Sequence, residues 1–148
     1  MSVQIANLTA GVPVADTSVN ASPDANRIPV TSSGTVYTLY GAPVAIGSVA
    51  AKAAIVKGIR ITNTFSSPVK LNLFMTYFLN MSGMLYRVRR QIAPVDMILP
   101  VGFVYIDDGE ITLPSGASIQ AGAKPESGTP PANSFVDFVI SGVERDVT

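Results

Sequence analysis

Val69, Leu71, Leu73, Met75, Tyr77 and Leu79 place an apolar side chain on every second residue, with Lys70, Asn72 and Thr76 between them. A period of two sends alternate side chains to opposite faces of an extended strand, a pattern that a helix with 3.6 residues per turn cannot sort. Phe74 and Phe78 share the outward parity, so that face is polar but carries two aromatics. The same period recurs through the rest of the chain in short runs separated by Gly, Pro, Ser and Asp, and no amphipathic helix emerges.

Further strands are expected at residues 35–40, 54–63, 84–92, 103–106, 110–113, 117–123 and 134–143. In the second of these, Ile55, Ile59 and Ile61 share a face with Lys57, a mismatch that predicts a bulge or a strand end at Lys57. Asn80-Met81-Ser82-Gly83 reads as a hairpin loop, after which Met84, Tyr86, Val88 and Ile92 are expected inward and Leu85, Arg87, Arg89 and Gln91 outward. Asp107-Asp108-Gly109 and Pro114-Ser115-Gly116 read as turns of a meander or part of a Greek key. Residues 134–143 are apolar on both faces, as in a central or intersubunit strand. The expected fold class is all-β, an antiparallel, jelly-roll-like β-sandwich of about eight strands, with the strand order left open.

The first fifty residues hold three charged side chains, Asp16, Asp24 and Arg27, and no sustained periodicity before Val36. Residues 1–34 therefore read as an extended N-terminal arm and residues 35–148 as the sandwich. Pro13, Pro23 and Pro29 favour extended backbone in the arm, which could lie along its own domain or clamp a neighbour.

At 148 residues and 47% hydrophobic, the chain suits one domain with a real core. Ten basic and ten acidic residues cancel, so no global field attracts nucleic acid or an anionic membrane, and neither is an expected partner. Charged residues make up only 14%, below the roughly 25% of an average domain, which points to surface covered by other subunits and to a homo-oligomer, a dimer or trimer. With no Cys and no His, thiolate nucleophiles, disulfides, Cys/His zinc sites and Ser-His-Asp triads are excluded. Neither a secretion signal nor a bilayer-spanning stretch is evident, so the glycosylation patterns at Asn7, Asn20 and Asn80 read as accidental.

The runs AIVKGIRITNTFSSPVKLNLF, DMILPVGFVYIDDGEITLPSGASIQAGA and VDFVISGVE cover roughly the last two-thirds of the chain. Their spacing resembles that of small β-sandwich proteins encoded among the virion genes of tailed bacteriophages, of the decoration, cement or neck and tail accessory type. What they share is strand pattern and turn geometry, which bear on fold more than on role. Where such turns often carry Asp, this chain has Ala117, which removes a capping or ion-binding carboxylate.

Two charged clusters are candidate subunit contacts. Arg87, Arg89 and Arg90 form the basic one; a nucleic-acid stripe would carry more charge and interleaved aromatics. Charge reversal of Arg87 and Arg89 is expected to weaken attachment and leave the isolated fold intact. Asp107, Asp108 and Glu110 form the acidic cluster, whose three carboxylates fall short of a hard-cation site and cannot span a glycosidase cleft from one turn. No catalytic residue, metal site or cofactor is expected, and the chain is not read as an enzyme. The leading expectation is a phage capsid decoration or cement protein, assembled into the virion in the host cytoplasm and contacting itself and the major capsid protein or another virion subunit. The alternatives are a neck or tail accessory protein, or a carbohydrate-binding sandwich of an adhesion apparatus using Tyr37, Tyr40, Tyr77, Tyr86 or Tyr105 as stacking platforms.

Overall fold

The computed structural model describes residues 26–147 and, as backbone strands, residues 3–7 and 14–15. Asp16, Asp24, Pro13 and Pro23 of the arm lie outside the described residues. No helix occurs among the described residues, which form 12 strands. These are β1 (Val3–Asn7), β2 (Val14–Ala15), β3 (Arg27–Pro29), β4 (Val36–Gly41), β5 (Lys52–Thr62) and β6 (Val69–Met81). They continue as β7 (Met84–Gln91), β8 (Met97–Leu99), β9 (Val104–Asp107), β10 (Ile111–Leu113), β11 (Ser118–Pro125) and β12 (Phe135–Asp146).

Two six-stranded sheets result, and every ladder between named strands is antiparallel. The first runs β1-β12-β5-β10, with β3 also on β12 and β9 also on β5; the second runs β2-β4-β11-β6-β7, with β8 also on β6. Strands β9 and β10 follow β5 in the same direction, as β7 and β8 follow β6, so each pair is one strand position with an interruption. From β3 onward the positions β3, β12, β5 and β9/β10 face β4, β11, β6 and β7/β8. The chain crosses between them in the order of a jelly roll.

The core lies between the sheets. Ile59, Ile61, Leu71, Leu73, Ile119, Phe138 and Ile140 are essentially inaccessible. Ile28 on β3 and Val30 just after it belong to that core, so the sandwich takes in residues upstream of 35. A three-residue strand is too short for its alternation to stand out against an arm of small residues. β1 pairs with β12 and β2 with β4, so the described parts of the N-terminal segment lie on their own sandwich.

The misfit at Lys57 marks a bulge. Ser141 pairs with Gly58 and Gly142 with Val56, leaving Lys57 without a partner position on β12. The extra residue switches parity, so Val56 turns inward and Ile55 does not, the reverse of the regular-strand expectation. Removing Lys57 would align Ala54, Val56, Ile59 and Ile61 on one face without a bulge. The deletion is expected to leave a folded protein, destabilised by less than about 2 kcal/mol. Thermal unfolding followed by circular dichroism checks this; a chain that no longer folds would show that the bulge itself is required.

Residues 107–109 are not a hairpin turn. Asp107 pairs with Ile59 and Ile111 with Val56, so residues 108–110 loop out of a strand that resumes in its original direction opposite the Lys57 bulge. Lys57 and Glu110 form an ion pair across this gap. The other interruption is pinned by Asn72: its Nδ2 donates to Asp96 Oδ1 at 2.8 Å, and its Oδ1 accepts from Gln91 Nε2 and the Asp96 amide, both at 2.9 Å. The Asn72 bond, aided by Lys124, holds the Asp96 carboxyl below the usual carboxylate range.

Candidate interaction surface

β6 and β7 meet at a two-residue turn, Ser82-Gly83, both with positive φ (53° and 80°), the geometry that matches the twist of a tight hairpin. Toward this turn β6 runs past the core: its burial is regular to Leu73 and lost from Phe78 onward. Met84 and Tyr86, expected inward, are exposed for the same reason, since a parity argument assumes a second sheet opposite every residue. Phe78, Leu79, Met81, Met84, Leu85 and Tyr86 are all exposed on this projection, and residues 71–86 include no charged side chain.

At its base lies a groove of about 590 Å³ lined by Pro43, Val44, Ile46, Val49, Gly116 and Arg87 among others. Gly116 has φ +87°, and a Cβ there would meet the Phe78 ring at 3.3 Å and Val44 at 3.4 Å. The glycine is thus what lets Phe78 lie against the groove wall.

The arginines divide. Arg89 Nε donates to Gln120 Oε1 at 2.9 Å, and its guanidinium stands 5.3 Å from the Phe74 ring centroid. Gln120 is wholly buried on the outward parity of β11, and its Nε2 donates to Thr38 Oγ1 at 3.0 Å. Beside it Thr76 and Ser118, also buried, are hydrogen-bonded to each other. The alternation of Ser118 and Gln120 within SIQA was the signal for this polar row, which the turn motif obscured. Arg87 shares the outward face and lines the groove, whereas Arg90 has the opposite parity and donates through Nη1 to the Arg89 carbonyl.

Arg89→Glu is therefore expected to destabilise the isolated protein by about 1–2 kcal/mol, because buried Gln120 Oε1 would face a carboxylate. Exposed Arg90→Glu should stay within about 0.5 kcal/mol. Chemical denaturation of both variants checks the contrast.

The acidic cluster lies on the other sheet. Asp107 accepts from the Gly109 amide at 3.0 Å and from Tyr105 Oη at 3.4 Å, Glu110 pairs with Lys57, and Asp108 is exposed. The fold thus puts the two clusters on neighbouring edges of opposing sheets and does not merge them into one site. Among the described residues no group of three or more His, Cys, Asp or Glu could hold a metal ion. Ala117 is buried, so a carboxylate there would enter the core.

Of the tyrosines considered as sugar platforms, Tyr40 is buried and donates to Glu144 Oε1 at 2.6 Å; burial, reinforced by that bond, pushes its pKa up. Tyr37, Tyr77 and Tyr105 pack partly buried against the core, and burial followed by Asp107 raises Tyr105 as well. Tyr86 alone of the five is exposed.

Neither a protein-family model nor a curated protein matches the chain. Solved structures share its fold, among them two chains of virus particles. A chain in the crystal structure of the infectious bursal disease virus particle superposes with a TM-score of 0.55 at 12% identity, over 96% of this chain and 30% of its own length. A chain from the Gx strain of the same virus gives 0.53 at 14% identity, over 97% of this chain and 33% of its own. The protein therefore spans about a third of the length of the virus chains whose fold it shares.

Proposed function

We propose that this protein is a structural component of a bacteriophage virion, a decoration or cement subunit that binds an assembled capsid and stabilises it. The observation that carries the reading is a jelly roll, shared over nearly the whole chain with chains of a virus particle, whose exposed surface is unusually apolar. Such a surface is unfavourable in water and natural in a shell, where each subunit is covered by others. Arg87, Arg90 and the acidic residues Asp107, Asp108 and Glu110 would serve at its rim, where charges steer association and set register. Its partners are then further copies of itself and the major capsid protein, and its location is the virion assembled in the host cytoplasm.

The N-terminal segment is part of this proposal: β1, paired with β12 along one side, would add to the hold on a neighbour through the backbone hydrogen bonds of its other side. Because Ile28 and Val30 are core, a truncation must stop at residue 25 to test this. Purified particles analysed by mass spectrometry should contain the protein, and particles carrying the truncated chain should hold fewer copies or release them at lower temperature. Absence from particles would overturn the virion reading; density at the neck or tail in electron cryomicroscopy would move it from capsid decoration to an accessory role.

A further inference from the structure

We propose that the β6–β7 hairpin is a knob that seats in the Pro43–Val49 groove of a second copy of this chain. The inference goes beyond the virion reading and is independent of it, since it concerns the isolated protein.

The first argument is area. Six hairpin side chains and three in the groove loop, Val44, Ile46 and Val49, are each between 37% and 69% exposed. Taking roughly 150–200 Å² for a fully exposed large side chain, they present on the order of 800 Å² of apolar surface. That exceeds the roughly 300–600 Å² of the largest patch on a typical monomer and matches the roughly 800 Å² one partner gives a standard interface.

The second argument is shape and charge together. The knob's tip, residues 79–86, runs past the core, is uncharged and exposes Leu79, Met81, Met84 and Tyr86 on one face and Leu85 on the other; the groove is a shallow, largely apolar depression with Arg87 at its edge. Phe78 at the hairpin base lies beside Gly116 of the chain's own groove, while Leu79, Met81, Met84 and Leu85 farther along remain exposed. The hairpin therefore does not fill its own groove. A lipid surface could also accept an apolar tip, but it would leave the groove beside that tip unfilled, whereas a second copy occupies both. Each chain gives one knob and receives one, which closes as a reciprocal pair or a small ring where the rotation permits and otherwise runs on as a filament.

The chain contains no cysteine, which allows a clean test. Leu85→Cys and Ile46→Cys copies, one of them isotope-labelled because the two substitutions change the mass equally, are mixed under mild oxidation; both positions are among the most exposed and their substitution spares the core. The expected product is a mixed disulfide, several-fold in excess of either homodimer, and Leu85→Asp should raise the dissociation constant for self-association about 100-fold or more. Leu85→Cys joined mainly to itself would mean tip-to-tip contact and overturn the proposal. So would a single-chain mass at micromolar concentration, or Leu85-dependent binding of single chains to phosphatidylcholine–phosphatidylserine vesicles.

Discussion

Replacing Gly122 with valine is expected to destabilise the protein by about 3–5 kcal/mol, a large share of the 5–15 kcal/mol that holds a typical domain together. Gly122 sits in β11 between Val36 of β4 and Asn72 of β6, with its missing side chain on the outward parity. The segment after β3 crosses that face: Val30 bridges to Ala123, and the Thr31 amide donates to the Ala123 carbonyl at 3.0 Å. A Cβ on Gly122 would stand 2.5 Å from the Gly34 carbonyl oxygen and 3.2 Å from that of Thr35. Backbone cannot rotate away as a side chain can, so the crossing or the β4–β11 ladder must shift. Alanine suffices to create the clash and should already cost about 2 kcal/mol or more. Urea denaturation gives the measurement; a valine variant within 1 kcal/mol of the parent would mean that the crossing segment moves freely.

Asn63 is the second sensitive position. Wholly buried at the end of β5, it donates from Nδ2 to the carbonyls of Ser67 and Leu99 and accepts from the Phe65 amide at Oδ1, each at 2.9 Å. Its own amide donates to the Phe103 carbonyl, and its carbonyl accepts from Gly102. One side chain thus ties the turn between the sheets to the segment joining β8 to β9. Asn63→Ala would take this partner from the buried Leu99 carbonyl and from the part-buried Ser67 carbonyl and Phe65 amide, and is expected to cost about 3 kcal/mol. Asn63→Asp should cost at least as much at neutral pH, since a carboxylate would face two carbonyl oxygens. Those oxygens raise the folded-state pKa of the new Asp above its unfolded value of about 3.9. The penalty is therefore full above the folded pKa and shrinks as pH falls toward the unfolded value, where a protonated carboxyl can donate to one carbonyl. Melting temperatures of the parent and Asp variants across pH 4 to 8 should converge at the acid end; a constant gap would contradict the assigned contacts.

Much of the sandwich was legible because alternation reports burial directly. β6 stood out, and the misfit of Lys57, which predicts a bulge or a strand end, falls at a bulge. Strand order was not legible, because which strands neighbour one another is decided by contacts far apart in sequence. Asp107-Asp108-Gly109 has the composition of a reversal, yet the chain continues onward, since Lys57 and Gly58 across the ladder make room for an outward loop. β8 was hidden between prolines. Tip residues such as Met84 carried a core-like pattern into solvent, and Gln120 carried a surface-like identity into a buried row. Both depart from the alternation rule where a strand's covering differs from what a symmetric sandwich supplies.

The interruptions at residues 92–96 and 108–110 also bear on how concentrated this protein can become before it clumps. An uninterrupted edge strand is a template onto which any extended chain can zip. Here β8, β9 and β10 offer stretches of three or four residues, too short to nucleate such growth. The longer β7 carries Arg87, Arg89 and Arg90, so two β7 edges aligned against each other would set like charges side by side. Sheet extension is thereby discouraged along this whole flank, and copies that meet are channelled into side-chain contacts of fixed geometry, which can stop at a defined number.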